Sequence, residues 1–134
     1  MRAITILLAC ISLITLGSCE KDEGKLPNID FKTGTGFVST DTIVDAGATI
    51  TIGIEASKSE KKDPLKKFNI SLSIDGGADA TVYSEDLSGD DGDNYEYDFT
   101  TTVGNSVGQL NTYTFTITNR DGLVNQLSLT VMTM

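Results

Sequence analysis

Apolar residues alternate with polar ones, with a period of two residues, in several separate stretches of this chain. The clearest series lie at 50–54, 68–74, 95–99, 113–117 and 127–131. Successive side chains of a β-strand point to opposite faces, so each series predicts a strand with one buried and one solvated face. No convincing stretch shows the 3.6-residue period of an amphipathic helix. The alternation therefore indicates an all-β fold.

Three weaker segments, 29–32, 42–45 and 80–84, extend the strand count to seven or eight. Short strands separated by Gly- and Asp-rich turns are typical of an antiparallel sandwich. The many threonine and β-branched residues suit strands as well. We therefore expect an antiparallel β-sandwich over residues 29–134.

The last two strong strands are joined by the segment NRDG, and the strand pattern decides the length of this loop. A two-residue Asp-Gly loop would pair Arg120 with Leu123 and oppose an inward face to an outward one. A three-residue loop closed by Asn119 and Leu123 instead places Phe115 opposite Leu127, so that both apolar series share a face. Asn at the start of a type I turn and Gly in the left-handed region suit this loop. We expect the three-residue loop.

The N-terminal residues 1–18 have the organisation of a secretory signal. A positive start is followed by an apolar run over 3–16, which is shorter than the about 20 residues of a membrane span. The stretch LGSC, residues 16–19, resembles the lipobox of bacterial lipoproteins. The resemblance implies cleavage between Ser18 and Cys19 and acylation of Cys19, which attaches the protein to a membrane. The alternatives are an ordinary signal peptide with a chance cysteine, or an N-terminal strand or helix.

The segment 19–28 consists of Cys19, whose acylation the lipobox resemblance implies, and a tether. Residues 20–28 predict a flexible tether, because they are polar and carry Gly and Pro without periodicity. Its first part resembles the short Lys-and-acid signal that sends Bacteroidota lipoproteins to the cell exterior. The residues of this export signal are Glu20, Lys21, Asp22 and Glu23. A plain linker is the alternative. The expected location is the outer membrane, with the lipid-anchored domain exposed at the cell surface.

The stretch GQLNTYTFTITNRDGL, residues 108–123, resembles the F–G hairpin of bacterial immunoglobulin-like and PKD-like modules. Tyr113 stands at the position of a tyrosine-corner residue, and Phe115 takes the place of the second immunoglobulin cysteine. The WDFGDG-like stretch of PKD modules is missing. The whole chain is similar to small immunoglobulin-like surface lipoproteins of the Bacteroidota. This resemblance implies an immunoglobulin-like antiparallel β-sandwich of seven or eight strands over residues 29–134 and leaves the function open.

Residue composition argues against most kinds of catalysis. The sequence has no histidine, and its two cysteines belong to the leader and the lipid site, which excludes His-dependent triads, Cys nucleophiles and most zinc sites. Carboxylates remain as candidates for a glycosidase pair. They are Glu85, Asp86, Glu96 and Asp98. Because two of them alternate with core aromatics on a strand, we favour solvated acids and expect a non-enzyme without cofactors.

Two charged stretches are candidate binding sites. Asp90, Asp91 and Asp93 offer the oxygen ligands that calcium prefers, but the EF-hand spacing is not met, and turn formation is the interpretation we favour. The lysine-rich stretch SKSEKKDPLKK could bind an anionic glycan or headgroup. We favour a solvated loop in which Glu60 and Asp63 are interspersed among the lysines.

Phe37 and Tyr83 are the aromatic residues best placed for exposure, and they are the candidate ligand contacts. The net charge of −9 disfavours nucleic acid as a partner, since a phosphate backbone is bound through clustered Lys and Arg. The expected function is non-catalytic binding. The first hypothesis is a glycan-associated accessory lipoprotein, which requires an exposed aromatic strip. The alternative is an adhesion or assembly subunit that contacts another surface protein through an apolar patch or an uncovered edge strand.

Overall fold

Eight β-strands and one short 3-10 helix make up most of residues 24–134, the part of the chain that the structure, a computed structural model, describes. The signal, Cys19 and the segment 20–23 lie outside the described residues. The elements are β1 Asn28–Phe31, β2 Thr42–Val44, β3 Thr49–Ser57, β4 Leu65–Ile74, β5 Ala80–Asp86, a 3-10 helix Gly89–Gly92, β6 Asn94–Thr102, β7 Leu110–Asn119 and β8 Val124–Thr133. All the predicted strands are confirmed. No helix within residues 24–134 is long and apolar enough to cross a membrane.

The strands form two sheets packed face to face. One sheet has three strands in the order β1-β3-β6, and the other has five in the order β2-β8-β7-β4-β5. Every neighbouring pair is antiparallel except β2 and β8, which run parallel. This arrangement is an immunoglobulin-like β-sandwich, and the expected antiparallel pairing is confirmed for every pair except β2 and β8.

The β7–β8 hairpin has the predicted three-residue loop. Phe115 pairs with Leu127, and the backbone N–H of Asn119 donates to the carbonyl of Leu123 at 3.0 Å. Gly122 has φ 85°, the left-handed conformation that the loop requires and that glycine adopts without strain. The Asn119 side chain closes the turn, because its Oδ1 accepts the backbone N–H groups of Asp121 and Leu123 at 3.0 Å each.

The core fills the space between the sheets and is built from the inward residues of the alternating series. Aromatic rings dominate its middle: Phe68 lies 5.2 Å from Tyr95 and 6.4 Å from Phe115, measured between ring centroids. The fully buried side chains include Ile52, Ile54, Leu65, Phe68, Ile70, Tyr113, Phe115, Ile117 and Val131. Each such side chain contributes about 1.5–3 kcal/mol to stability on burial, so core packing can stabilise the sandwich.

The lysine-rich loop between β3 and β4 differs from the expectation of a fully solvated segment. Asp63 is 2% exposed, although its neighbours Lys61 and Lys62 are exposed. The β7–β8 hairpin packs on this loop, and the N–H of Arg120 donates to the carbonyl of Pro64 at 2.9 Å. This long-range contact buries a carboxylate that local sequence placed in solvent.

Candidate functional site

The open side of the sandwich lies between β5 and β6. Each of these strands pairs with a single neighbour, β5 with β4 and β6 with β3, so their outer edges are uncovered in residues 24–134. The two strands follow each other in the chain through the 3-10 helix. Side chains from both edges meet here and form what we call the tyrosine–glutamate cluster. Its members are Tyr83, Glu85, Tyr95 and Tyr97.

Two tyrosine rings, one from each sheet, stack at this opening. The centroids of Tyr83 and Tyr97 are 4.4 Å apart and the ring planes are inclined by 24°. Both side chains are half-buried. Behind them lies Phe68, whose ring centroid is 6.1 Å from that of Tyr83 and 5.8 Å from that of Tyr97. The pair therefore rests on the aromatic core and keeps part of its surface in solvent.

Glu85 connects the two tyrosines that carry the cluster's hydrogen bonds. The hydroxyls of Tyr83 and Tyr95 both donate to Glu85 Oε1, at 2.7 and 2.6 Å. These two donors lower the pKa of Glu85, the Tyr83 bond first, because they stabilise the carboxylate. The bond to Glu85, followed by burial, raises the pKa of Tyr83 to about 12. Burial, followed by the bond to Glu85, raises the pKa of Tyr95 as well.

The cluster thus presents an ionised carboxylate beside neutral phenols at neutral pH. Both phenol hydroxyls bind Oε1 of Glu85, so Oε2 is the oxygen that can accept hydrogen bonds from a ligand. The aromatic faces supply apolar contact next to this acceptor. This combination can bind a polar molecule with apolar faces.

The β4–β5 register explains why Tyr83 and Glu85 face the gap between the sheets, because they pair with the buried residues Ile70 and Phe68. Ile70 pairs with Tyr83 and Ser71 pairs with Thr81, so Val82 is the extra residue of β5. Val82 is accordingly 44% exposed, whereas Tyr83 is half-buried. The sequence pattern marks Tyr83 as a ligand contact but does not mark its partners in the cluster. The spacing of Tyr83 and Glu85, which puts both on one strand face, was the available signal.

Phe37, the second aromatic candidate, lies elsewhere, on the outer face of the three-stranded sheet. Its ring is half-buried, and the Lys32 Nζ lies 5.8 Å from the ring centroid. Lys32 also binds the Glu96 and Asp98 carboxylates at 2.9 and 2.8 Å. Gly53 leaves room for this arrangement, because a Cβ there would come within 2.8 Å of both the Lys32 and Phe37 side chains. Phe37 and Tyr83 therefore do not form one strip.

The acidic stretch before β6 holds the calcium candidates. Asp90 and Asp91 lie exposed in the 3-10 helix, and the carboxylate of Asp93 forms an ion pair with Lys58 at 2.6 Å. Within residues 24–134, no three Asp, Glu, Cys or His side chains lie close enough together to hold one metal ion. The ion pair thus engages one of the three proposed ligands.

Comparison with known proteins bears on the fold. No protein-family model matches the chain, and no curated protein matches it either. Among solved structures, superoxide reductase (neelaredoxin) from Ignicoccus hospitalis is similar with a TM-score of 0.54 and 7% identity, over 82% of this chain and 81% of that chain. Spo0M, a sporulation control protein from Bacillus subtilis, gives a TM-score of 0.48 and 11% identity, over 82% of this chain and 51% of that chain. This chain thus spans about half of Spo0M. The likeness to the reductase shows a shared β-sandwich fold.

Proposed function

We propose that the protein is a lipid-anchored, non-catalytic binding module on the surface of a bacterial outer membrane. Its ligand is a glycan, which contacts the tyrosine–glutamate cluster. The observation that carries this proposal is the stacked pair of Tyr83 and Tyr97 beside the ionised Glu85. Aromatic rings stack on the apolar faces of pyranose sugars, and a carboxylate accepts hydrogen bonds from sugar hydroxyls.

The electrostatics of the carboxylates support binding over catalysis. A glycosidase needs one carboxylic acid whose pKa is raised so that it can donate a proton. The pKa of Glu85 is lowered instead. Glu96 and Asp98, the other candidates with described partners, both bind Lys32 on the outer sheet face. The lowered pKa keeps Glu85 ionised, which suits a permanent hydrogen-bond acceptor.

Glycan binding can be tested by calorimetric titration and glycan-array screening of the full chain. We expect Tyr97→Ala to weaken the affinity for any array-positive glycan by about tenfold, since an aromatic contact contributes roughly 0.5–1.5 kcal/mol beyond its buried area. Phe37→Ala is the matched control, because this ring lies outside the cluster, and it should leave the affinity unchanged. Absence of binding to every glycan, or an equal loss in both variants, contradicts the proposal.

Membrane anchoring rests on the LGSC stretch and is tested separately. Cells fed a labelled fatty acid should transfer the label to the wild-type chain and leave Cys19→Ala unlabelled. Replacement of Lys21, Asp22 and Glu23 by alanine should keep the protein membrane-bound but protect it from protease added outside the cells. Unchanged protease sensitivity would reduce the segment to a plain linker.

A second candidate function is that of an assembly subunit that contacts another surface protein. The uncovered outer edge of β6 favours it, because an exposed strand edge offers unpaired backbone groups to a further strand. This contact depends on the open backbone edge of β6, so variants at that edge and on the outer sheet face test it separately from glycan binding.

A further inference from the structure

Four strands lie at the edges of the two sheets, and three of them are poor templates for a further strand. β1 has four residues and β2 has three. β5 contains the bulge at Val82 and points the charged Glu85 toward the inside of the sandwich. Short length, bulges and inward charges all discourage edge-to-edge pairing.

β6 has none of these features. It spans nine residues, Asn94–Thr102, and its pairing with β3 continues without a register shift along the whole strand. Its inward residues Tyr95, Tyr97 and Phe99 are aromatic. Among the edges of the described part of the chain, β6 is therefore the one built to accept a strand.

The free backbone groups of β6 can be identified from the hydrogen-bond parity. The N–H of Val103 donates to the carbonyl of Ala48 at 2.9 Å, and the N–H of Lys58 donates to the carbonyl of Asp93 at 3.1 Å. In an antiparallel pair the bonded residues alternate, so the odd-numbered residues of β6 bond to β3. The even-numbered residues direct their N–H and C=O groups to the open edge. They are Asn94, Glu96, Asp98, Thr100 and Thr102.

The outer face beside this edge is acidic. Asp30 pairs with Glu55 and Glu55 with Glu96, so three carboxylates form a row across the sheet. These side chains line a shallow depression of about 190 Å³. Asp98 lies on the same face, and Lys32 binds both it and Glu96. Lys32 pairs with two of these four carboxylates, and the face favours further cationic neighbours.

We propose that β6 accepts an extended segment of another surface protein as a fourth strand of the three-stranded sheet, and that this segment carries Lys or Arg at alternate positions. The basic side chains lie beside Glu96 and Asp98, where opposite charges on adjacent strands are favourable. The residues between them face inward, next to Tyr97, and are apolar. The inference deepens the second candidate function and does not depend on glycan binding.

A second copy of this chain is the less suitable occupant of the edge. Pairing two β6 strands would place the Glu96 and Asp98 side chains of both copies on one sheet face. Like charges on adjacent strands are destabilising, and each chain carries a net charge of −9. Charge complementarity therefore selects a basic segment.

Two nine-residue synthetic peptides test the inference on the full chain in detergent. In one, Lys alternates with Val; in the other, Glu replaces every Lys. We expect the Lys peptide to slow amide hydrogen exchange of Glu96, Asp98 and Thr100 at least tenfold at saturation, and to bind more weakly as salt is raised. The Glu peptide should give no protection.

Two variants test the inference without removing a backbone hydrogen bond between β6 and β3. Thr100→Pro removes an N–H that points to the open edge and does not bond to β3, so it should weaken the Lys peptide at least tenfold. Glu96→Lys should shift the preference toward the Glu peptide. Equal binding of both peptides, protection of β5 in place of β6, or protection that appears without peptide and grows with chain concentration overturns the inference. If the wild-type chain shows the peptide-dependent protection but binds no glycan, only the glycan proposal is overturned.

Discussion

Tyr83 and Tyr97 hold the open side of the sandwich together, with ring centroids 4.4 Å apart and one ring from each sheet. Their strands, β5 and β6, share no backbone ladder, since they belong to different sheets. The stack is therefore a side-chain contact between two otherwise unpaired edges. It links the stability of the domain to the geometry of the proposed site.

The stacked pair should show a measurable energetic coupling. In a double-mutant cycle with Tyr83→Leu and Tyr97→Leu, we expect a coupling of about 0.5–1.5 kcal/mol in the free energy of unfolding, the range for aromatic pairs. Urea unfolding followed by circular dichroism supplies the four values. Ser84→Ala, on the outer face of β5, replaces Tyr83→Leu in the control cycle and should be additive with Tyr97→Leu. A coupling near zero for the tyrosine pair would show that the two rings pack independently.

The negative charge on Glu85 should raise the pKa of the Tyr83 hydroxyl. In Glu85→Gln the pKa of Tyr83 should fall from about 12 toward its ordinary value of 10.0, because the neutral amide no longer stabilises the protonated phenol. Spectrophotometric titration of tyrosinate measures this change. Glu96→Gln, on the opposite face of the sheet, should leave it unaltered.

The same variant predicts the pH dependence of stability. The folded-state pKa of Glu85 lies below its ordinary value of 4.5, so the carboxylate contributes stability above that pH. The advantage of the wild type over Glu85→Gln should be constant near neutral pH and should be lost as the pH falls below about 4.5 through the folded-state pKa. Thermal unfolding across this range gives the measurement. A difference that does not change with pH would contradict the ionised state.

The positions of the strands and the register of the β7–β8 hairpin were predictable because their determinants are local. Alternation locates each strand, and the face requirement on Phe115 and Leu127 fixes the hairpin register. The site was predictable only in part. The hydroxyl of Tyr95 reaches Glu85 from the other sheet, and the pairing of β5 with β4 turns Glu85 inward opposite Phe68. Those contacts depend on how distant strands pack, which a single sequence does not encode locally.

Asp63 should destabilise the folded protein at neutral pH. Its two carboxylate oxygens lack hydrogen bonds in the described structure, and Arg120 Nη2 is 3.9 Å from Oδ1. Burial, followed by the neighbouring carboxylates of Asp121 and Glu60, raises its pKa, while Lys62 opposes the shift. The folded state therefore binds the proton more tightly than the unfolded chain does.

The sign of this linkage gives a test. Stability contributed by protonated Asp63 is present below the unfolded-state pKa of 3.8 and is lost as the pH rises through the higher folded-state pKa. Asp63→Asn should consequently raise the Tm at pH 7 and give no gain near pH 3 to 4. The exposed Asp86→Asn is the control and should show no such difference. A lower Tm for Asp63→Asn at pH 7 would mean that the buried carboxylate is ionised and stabilises the fold through a charged partner.

Any side chain at position 53 should destabilise the fold, because the side chains of Lys32 and Phe37 cross over Gly53. A Cβ at this position would lie 2.8 Å from Lys32 Cδ, 2.8 Å from Phe37 Cε1 and 2.9 Å from Asp98 Oδ1. Gly53→Ala should therefore displace Phe37 and weaken the Lys32–Asp98 ion pair, at a cost of about 1–3 kcal/mol in the free energy of unfolding. Removing one obstacle should recover part of this loss, so Gly53→Ala should cost less in a Phe37→Ala background. Urea unfolding of the four chains measures both costs. Equal costs in the two backgrounds would place the strain in the backbone of β3 and not in the side chains above it.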